Sequence, residues 1–388
     1  MKGNLLVAHG GGPTAVINSS LYGVITEAQK HSDIEDILAA RYGIEGVLIE
    51  DFININKKNQ SNIDLLPGTP SSAIGSCRKK LTEEDYPILL EIFKKNNIRY
   101  FFYNGGNDSM DTCNKIAKLA EKSGYEMKVI GIPKTIDNDL AFTDHCPGFG
   151  SAARFVATSA MDLAKEVMAR PAHVMIMETM GRNAGWLAAS SVLGKINGES
   201  RPQLVYLPEI PFDMDSFLKD IETWNSKVTG LLVVVSEGLA DKNGEMIAHR
   251  GLVDSFGHKT PGGVAQMLAD TIIKRLGINA WAEVLGLLGR TSMPTQSSID
   301  RDEAIAVGKF AVKSVIEGKT GQMVAIERIS NYPYEFALKL VELSKVANVE
   351  KKFPLEWINE EGNGIKEDFM DYCMPLIGDP LPEYASYL

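Results

Sequence analysis

The sequence predicts an α/β fold in which mainly parallel sheets are covered by helices. Short apolar runs recur along the chain, and each is followed by a glycine-rich or polar turn and then by a helical pattern. At 388 residues the chain is longer than one hydrophobic core usually organises, so two domains are expected. Its 44% hydrophobic and 23% charged residues are typical of a folded globular protein.

The apolar runs are expected to be buried strands. In chain order they cover residues 4–9, 99–103, 127–132, 174–178 and 231–236. Helices are predicted over about 16–30 and 111–122, each after a glycine-rich turn. Ligands of parallel sheets bind beyond the carboxyl ends of the strands, so the residues that follow each run are the first candidates for a functional site.

The composition argues against several classes of partner. A formal net charge of −10 disfavours binding of nucleic acid or an anionic membrane over a broad surface, so a polyanion would need a local basic pocket. No segment approaches the roughly twenty apolar residues of a membrane span. The scattered cysteines form no CxxC pair, which indicates reduced thiols in a cytoplasmic protein. They are Cys77, Cys113, Cys146 and Cys373.

Two glycine-rich loops follow predicted strands. The first is Gly10-Gly11-Gly12-Pro13-Thr14, and the second is Gly105-Gly106-Asn107-Asp108-Ser109. Glycine lets backbone amides approach an anion, and the N-terminus of the following helix favours negative charge. Each loop alone could be only a tight turn, but two of them together indicate a ligand rich in phosphate.

A third loop, residues 133–139, carries charged side chains suited to phosphoryl transfer. Asp137 and Asp139 are two residues apart, and Lys134 is close in sequence. One carboxylate could act as a base toward a hydroxyl and the other could support a metal ion, while the lysine offsets phosphate charge. The alternative is an acidic turn whose side chains cap backbone amides.

Six motifs carry a resemblance to a known family. GGGPT...N, GS.R, GGNDS, PKTIDND, METMGR and VVVSEG occur in this order. The chain thereby resembles the 6-phosphofructokinase family from its N-terminus to about Glu327. The resemblance implies two Rossmann-like α/β domains with parallel sheets flanked by helices, and an active site in the cleft between the domains.

The resemblance also implies roles for individual residues. Asp137 corresponds to the base that removes the proton from the C1 hydroxyl of the sugar, and Mg²⁺ is the implied cofactor. Contacts to the sugar phosphate are implied for Thr135, Ile136, Asp137, Met180, Gly181, Arg182, Glu237 and Arg290. Contacts to the phosphoryl donor are implied for Gly11, Gly12, Arg78, Gly106 and Asn107. Catalytic roles are implied for Asp137, Lys134, Asp108 and Arg182, and metal contacts for Asn107, Asp108 and Asp139.

Two positions favour inorganic pyrophosphate over ATP as the donor. Members that use ATP resemble GGDGS and PGTIDND, with glycine where this chain has Asp108 and Lys134. A carboxylate at position 108 would occupy the space of a nucleotide α-phosphate and repel its charge. Lys134 adds a cation suited to a small, highly charged donor.

The chain departs from the family pattern at four positions. Asn107 replaces a magnesium-ligating aspartate, and an amide is a poorer ligand for a hard cation. His173, Trp281 and Leu287 stand where relatives carry phosphate-binding side chains, which leaves Arg290 as the retained anchor. Substitutes for the missing anchors are sought among Lys259, Arg250, His258, Arg328 and Lys345.

The predicted organisation is therefore a donor-binding domain over 1–148, a sugar-phosphate domain over 149–330 and a C-terminal extension over 331–388. A return of the chain to the first domain is expected near 289–320. A homodimer that uses pyrophosphate and fructose 6-phosphate is the first hypothesis. An ATP-dependent phosphofructokinase, a pyrophosphate-dependent kinase of another sugar phosphate such as sedoheptulose 7-phosphate, and a non-catalytic regulatory paralogue remain open.

Overall fold

The computed structural model describes residues 1–169, 173–196, 198–200, 202–253 and 259–385. Its strands are β1 (Gly3–His9), β2 (Ile34–Ala40), β3 (Phe52–Asn54), β4 (Ile98–Gly105), β5 (Lys128–Pro133), β6 (His173–Thr179), β7 (Lys195–Ile196), β8 (Glu199–Ser200), β9 (Leu204–Tyr206), β10 (Gly230–Ser236), β11 (His249–Val253), β12 (Lys259–Pro261), β13 (Asn279–Val284), β14 (Gln322–Asn331) and β15 (Tyr334–Glu342).

Its α-helices are α1 (Ile17–Ala28), α2 (Ile44–Leu48), α3 (Gln60–Asp64), α4 (Asp85–Lys95), α5 (Asn107–Lys122), α6 (Phe149–Met168), α7 (Trp186–Ala189), α8 (Met214–Asn225), α9 (Val264–Leu276), α10 (Leu288–Thr291), α11 (Ser298–Ile316), α12 (Leu343–Val346) and α13 (Glu367–Cys373). Short 3₁₀ helices cover Ile55–Lys57, Leu66–Gly68, Ser190–Leu193, Leu355–Trp357 and Met374–Ile377. None of the described helices combines the length and the hydrophobicity that crossing a lipid bilayer demands.

The predicted strands and the α/β fold class are confirmed. The five apolar runs form β1, β4, β5, β6 and β10, with ends within two residues of the predicted ones. The predicted helices correspond to α1 and α5, but α5 begins at Asn107 rather than near residue 111. The polar end of the second glycine-rich loop is therefore the first turn of a helix, where Asp108 is favourable because of the helix dipole.

Contacts divide the chain into two compact units. The first comprises Met1–Phe149 and Arg290–Lys351, and the second comprises Gly150–Gly289 and Lys352–Leu388. The stretch predicted as a C-terminal extension is thus divided after Lys351. Its first part includes β15, an edge strand of the first unit's sheet.

The first unit contains a seven-stranded sheet in the order β15-β14-β5-β4-β1-β2-β3. The five central strands run parallel, and the edge strands β3 and β15 pair antiparallel. Along β4, Tyr100 and Phe102 belong to one core while Phe101 and Tyr103 belong to another. Because successive side chains of a strand point to opposite faces, both faces of this sheet are buried, and its strands read as continuous apolar runs.

Helices α1 and α11 pack closely on one side of that sheet. A Cβ at Gly23 in α1 would collide with the carbonyl oxygen of Ile305 in α11, and one at Gly308 would collide with that of Ser20. Glycine on both helices lets their backbones approach. Helix α11 lies late in the sequence, so this packing joins the two chain segments that make up the first unit.

The second unit contains a four-stranded parallel sheet in the order β13-β6-β10-β9. Side chains of α8 and α9, such as Phe217 and Leu268, share a core with the strands. A separate aromatic cluster explains the aromatic content of the C-terminal part, whose residues pack around a tryptophan of α7. The cluster consists of Trp186, Phe353, Trp357, Phe369 and Tyr372.

A charged network is buried in the first unit. His145 Nε2 lies 2.6 Å from Glu303 Oε2, and its Nδ1 lies 2.7 Å from Asp144 Oδ2. Arg328 donates to Asp144, and Tyr334 donates to Glu303. Burial alone would lower the pKa of His145, but the two carboxylates outweigh burial and raise it to about 9.

We expect Glu303→Gln to destabilise the protein by about 3 kcal/mol near pH 6, because it removes one of the two carboxylates that compensate the charge of the buried His145. The pKa of His145 is about 9 in the fold against an ordinary value of 6.5. The stabilisation that protonated His145 gives to the folded state is therefore complete below pH 6.5 and is lost as the pH rises through about 9. Urea denaturation measures this: the difference in free energy of unfolding between wild type and variant should be smaller at pH 10 than at pH 6.

Asp302→Asn is the matched control, because Asp302 lies on the same helix, is 62% exposed and pairs only with a surface arginine among the described contacts. We expect it to change the free energy of unfolding by less than about 0.5 kcal/mol at either pH. A Glu303→Gln effect of the same size at pH 6 and pH 10 would show that the charge of His145 is not what this network stabilises.

Candidate active site

Three neighbouring parallel strands of the first unit, β1, β4 and β5, end at the polar loops that the sequence predicts to be functional. The backbone N–H of Gly10 donates to the carbonyl of Asn104 at 2.9 Å. That of Lys134 donates to the carbonyl of Gly105 at 3.0 Å. These bonds join the first glycine-rich loop, the second and the 133–139 loop at one edge of the sheet.

The segment that carries Arg78 is attached to the first glycine-rich loop. The N–H of Gly11 donates to the carbonyl of Cys77 at 2.9 Å, and Ser76 Oγ donates to the carbonyl of Gly11 at 2.7 Å. These bonds hold the GS.R motif beside the loop. Arg78 is exposed, so its guanidinium can reach an anion in front of the glycines.

A cavity of about 320 Å³, here called the basic cavity, opens in front of this loop. Its charged lining residues are both arginines. The lining consists of Gly11, Gly12, Pro13, Tyr42, Ser71, Ser72, Gly75, Ser76, Cys77, Arg78 and Arg290. Small-molecule sites usually have volumes of about 300–1,000 Å³, so this one is at the small end and suits a compact anion.

Arg290 lies at the donor loop. A Cβ at Gly12 would stand 2.5 Å from Arg290 Nη1, so the guanidinium lies against the glycine backbone and would have to move if this residue had a side chain. The family pattern assigns Arg290 to the sugar phosphate. In the structure it lines the same cavity as Arg78, where two guanidinium groups can face one anion.

Lys134 lies against the backbone of the same loop. It is 3% exposed, and its Nζ donates to the carbonyl of Gly12 at 2.7 Å. Burial, and after it the positive charge of Arg290, lower the pKa of Lys134 to about 7. An anion bound in front of the loop would favour the protonated lysine and raise this pKa again.

The carboxylates of the 133–139 loop have different surroundings. Thr135 Oγ1 accepts from the N–H of Asp137 at 3.0 Å, which forms a compact turn, and Asp137 is half-buried. Ile136 is buried. Burial, and then the charges of Asp137 and Glu350, raise the pKa of Asp139 to about 7.

The structure allows a test of whether these residues suit Mg²⁺. Asp139 Oδ1 is buried and has no hydrogen-bond partner among the described residues. A carboxylate in that position favours a nearby cation. The described residues contain no cluster of three or more acidic, histidine or cysteine side chains that could hold a metal. Asp139 therefore fits a magnesium ion that takes most of its ligands from a phosphate-bearing substrate and water.

Asn107 and Asp108, the two polar residues at the start of α5, have different surroundings. Asn107 uses its side chain to bond the backbone of residues 348 and 349, at 2.7 Å in both cases. Asp108 is exposed in the first turn of the helix. Within the described residues, neither of them nor Gly106 or Lys134 is among those that line the basic cavity.

The residues predicted to bind the sugar from the second unit lie together at one edge of its sheet. Thr179 and Ser236, the last residues of β6 and β10, are partners in register. The N–H of Glu237 donates to the carbonyl of Thr179 at 3.0 Å. Met180, Gly181 and Arg182 follow β6 directly, and Ser236 Oγ bonds the carbonyl of Gly181. The METMGR and VVVSEG motifs therefore lie next to each other, at the carboxyl ends of two neighbouring strands.

The positions that depart from the family lie elsewhere in the second unit. His173 is the first residue of β6, about 20 Å from Thr179 at the usual strand rise of about 3.3 Å per residue. Trp281, on the edge strand β13, is 54% exposed, and Leu287 is 69% exposed. Within this unit His173 therefore cannot act with the MGR residues on one phosphate group.

Two of the candidate substitutes have partners of their own. Arg328 donates to Asp144 at 2.8 Å, and Lys345 lies 3.4 Å from Glu342. The remaining candidates lie outside the described residues, His258 as a whole and Arg250 and Lys259 in their side chains.

Two residues that shape the site, Asn18 and His9, could not be assigned this role from the sequence. The side chain of Asn18 is buried and bonds the backbone of Thr69, Ser71 and Ala73, which holds one wall of the basic cavity. His9 Nδ1 lies 2.8 Å from Ser72 Oγ in the same wall. Asn18 does belong to the GGGPT...N motif, but only the fold shows which loop it holds.

Comparisons with known proteins show which proteins this chain is similar to. The family model described as Phosphofructokinase matches residues 4–315. A pyrophosphate--fructose 6-phosphate 1-phosphotransferase of Halomonas elongata is 41% identical over 395 residues, covering 99% of this chain and 94% of that protein. One of Xanthomonas campestris is 43% identical over 403 residues, with coverages of 99% and 96%. A crystal structure of a pyrophosphate-dependent phosphofructokinase from Nitrosospira multiformis is 39% identical, with a TM-score of 0.89 and coverages of 99% and 94%.

Proposed function

We infer the function of this chain from one premise: it belongs to the phosphofructokinase family. It transfers a phosphoryl group reversibly from inorganic pyrophosphate to the C1 hydroxyl of fructose 6-phosphate, giving fructose 1,6-bisphosphate and phosphate. The observation that carries this proposal is the small basic cavity in front of Gly11 and Gly12, lined by Arg78 and Arg290. The names of the relatives at about 40% identity support the same donor and acceptor.

The geometry of the first unit supplies the parts that the reaction needs. The C1 oxygen forms a bond to one phosphorus of pyrophosphate, the bond from that phosphorus to the bridging oxygen breaks, and phosphate leaves with the bonding electrons. Asp137 accepts the hydroxyl proton. Glycine amides and the guanidinium groups of Arg78 and Arg290 balance the charge of the transferred group. A phosphoanhydride of this kind and a phosphate ester are close enough in energy for the reaction to run in both directions.

The cofactor is Mg²⁺, as is general for phosphoryl transfer in this family. Asp139 would hold it, since its buried oxygen lacks a hydrogen-bond partner among the described residues. When bound, the ion would neutralise charge on the donor oxygens. Asp108 is exposed at the start of α5, and the side chain of Asn107 bonds the backbone of residues 348 and 349.

In the second unit, Met180, Gly181, Arg182 and Glu237 bind the sugar phosphate. Their shared position at the carboxyl ends of β6 and β10 supports this, because ligands of parallel sheets bind there. The protein acts in the cytoplasm as a homodimer. The exposed apolar residues Trp281, Leu287 and Leu288 of the second unit support self-association, because a partner subunit could cover them.

The proposal is tested by turnover of the purified protein with each donor and acceptor. We expect pyrophosphate with fructose 6-phosphate to give a kcat/KM at least about 100-fold above that with ATP. Sedoheptulose 7-phosphate should be a poorer acceptor, and the reverse reaction should require phosphate. Robust turnover with ATP and none with pyrophosphate would refute the donor assignment. Binding of sugar phosphate without any turnover would favour a regulatory paralogue.

A further inference from the structure

The side-chain amide of Asn107 is paired with the backbone of the C-terminal part of the first unit. Its Nδ2 donates to the carbonyl of Val349, and its Oδ1 accepts from the N–H of Asn348, both at 2.7 Å. An amide supplies a donor and an acceptor, whereas an ionised carboxylate only accepts. Aspartate at position 107 would place a negative oxygen against the Val349 carbonyl. The pairing therefore requires asparagine.

The same short segment, residues 348–351, here called the clamp segment, also holds the 133–139 loop. The N–H of Lys351 donates to the carbonyl of Asp139 at 2.7 Å, and Glu350 forms a bridge with Leu140. Lys351 Nζ donates to the side-chain oxygen of Asn138 at 3.3 Å. The backbone and the side chain of Lys351 thus both fix the loop that carries the carboxylates.

The loop needs such support because its backbone is unusual. Asn138 has a φ of 53°, in the left-handed region, which asparagine adopts more readily than most residues but which is still uncommon outside glycine. Its Oδ1 accepts from the N–H of Cys146 at 3.0 Å as well as from Lys351. Lys351 Nζ also donates to the carbonyl of Asp144 at 2.8 Å. The conformation between Asp137 and Asp139 is therefore held from two directions.

The clamp segment is itself anchored to α5. Asn348 has a φ of 62°, and its Nδ2 donates to Asp111 Oδ1 at 3.2 Å, one turn along α5 from Asn107. The N–H of Val349 donates to the carbonyl of Val346 at the end of α12. The segment thus connects the start of α5 to the 133–139 loop through a continuous series of hydrogen bonds.

We propose that Asn107 is a positioning residue which, through the clamp segment, fixes the carboxylates of Asp137 and Asp139 relative to the phosphate-binding loops. The proposal rests on the proposed function for its kinetic consequences. In this proposal Asn107, which departs from the family pattern, orients other side chains. The competing hypothesis is that the amide of Asn107 ligates magnesium. The two roles make opposite predictions for one substitution.

For Asn107→Asp, a positioning role predicts that kcat falls at least about tenfold while KM for the sugar phosphate changes less than about threefold, since binding contacts remain but the reacting geometry loosens. The magnesium concentration for half-maximal rate stays the same or rises. A ligand role predicts the reverse, because a carboxylate binds Mg²⁺ better than an amide. In that case kcat is retained and less magnesium is required, which would overturn the proposal.

Hydrogen exchange measured by mass spectrometry gives a readout that does not depend on turnover. Asn107→Asp should speed exchange in peptides that cover residues 137–142 and 346–352. Lys351→Met removes the hydrogen bonds of the Lys351 amine to Asn138 and Asp144, so it should also lower kcat and speed exchange in residues 137–142. Unchanged exchange in both variants would refute the clamp segment as a support of the loop.

Lys118→Ala is the matched control. Lys118 is exposed on the same helix and makes no contact with the clamp segment among the described contacts, so we expect kcat within about twofold of wild type. If the wild-type protein shows no pyrophosphate-dependent turnover, the proposed function fails, and the exchange data still decide whether the clamp segment orders the loop. If the wild type turns over and Asn107→Asp matches it in rate and exchange, the clamp proposal alone fails.

Discussion

Asp137→Asn should lower kcat for pyrophosphate-dependent phosphorylation by about 10²–10⁴-fold, the usual contribution of a positioned general base. The amide keeps the size of the side chain and the turn in which Thr135 accepts from the backbone of residue 137. It cannot accept the proton of the C1 hydroxyl. We therefore expect KM for fructose 6-phosphate to change little, and steady-state kinetics in both directions measure the loss.

Calorimetric binding of fructose 6-phosphate to the variant is the control for folding. Wild-type affinity together with lost turnover locates the defect in the chemical step. A rate within threefold of the wild type would show that another group takes the proton. It would also remove the main argument that the 133–139 loop is catalytic rather than an acidic turn.

Lys134→Gly should lower kcat/KM for pyrophosphate by about 10²–10³-fold, as removal of one preorganised charged donor does in other phosphate and oxyanion sites. Lys134 Nζ bonds the carbonyl of Gly12, so the substitution removes both a positive charge and a support of the donor loop. Combined with Asp108→Gly, it should shift the ratio of kcat/KM values toward ATP. Donor competition assays measure this ratio.

The pH dependence separates the charge of Lys134 from its structural role. Its pKa of about 7 means that the free enzyme holds the protonated form below pH 7 and loses it above. The kcat/KM for pyrophosphate should therefore fall as the pH rises through about 7, since this parameter reports the free enzyme. Lys134→Arg should move the fall to higher pH, while ionisation of the donor is common to both enzymes. Identical profiles would exclude Lys134 as the titrating group.

The sequence predicted the fold, and it predicted that the loops of the candidate site follow neighbouring strands, because both depend on local patterns. Continuous apolar strands, glycine-rich turns and a charged loop after β5 are visible within a few residues, and the parallel sheet brings their ends together. Order along the chain also predicted that MGR and Glu237 follow strands, and β6 and β10 are indeed neighbours.

The remaining features depend on contacts between distant parts of the chain. From the sequence, Asn107 is predicted to be a weak magnesium ligand. In the fold its amide bonds Val349, which is 242 positions away in the chain. Arg290 follows the family's sugar-phosphate pattern, but its guanidinium lies against Gly12. Lys134 was expected in the donor site, and the structure buries it against the donor loop instead of in the cavity lining. No local pattern records which backbone group a long polar side chain will meet.

The seven-stranded sheet has an order of assembly that follows from its discontinuous sequence. When the ribosome has added residue 289, strands β1 to β5 exist but β14 and β15 do not, so β5 still has an unpaired edge. Val307 and Val312 of α11, which cover the face shared with α1, are also missing. The nascent segment 1–149 therefore cannot bury all of its apolar surface, and it must wait through the synthesis of residues 150–289, the first and larger part of the second unit. During that interval the exposed strand edge is the part of the molecule most in need of a chaperone.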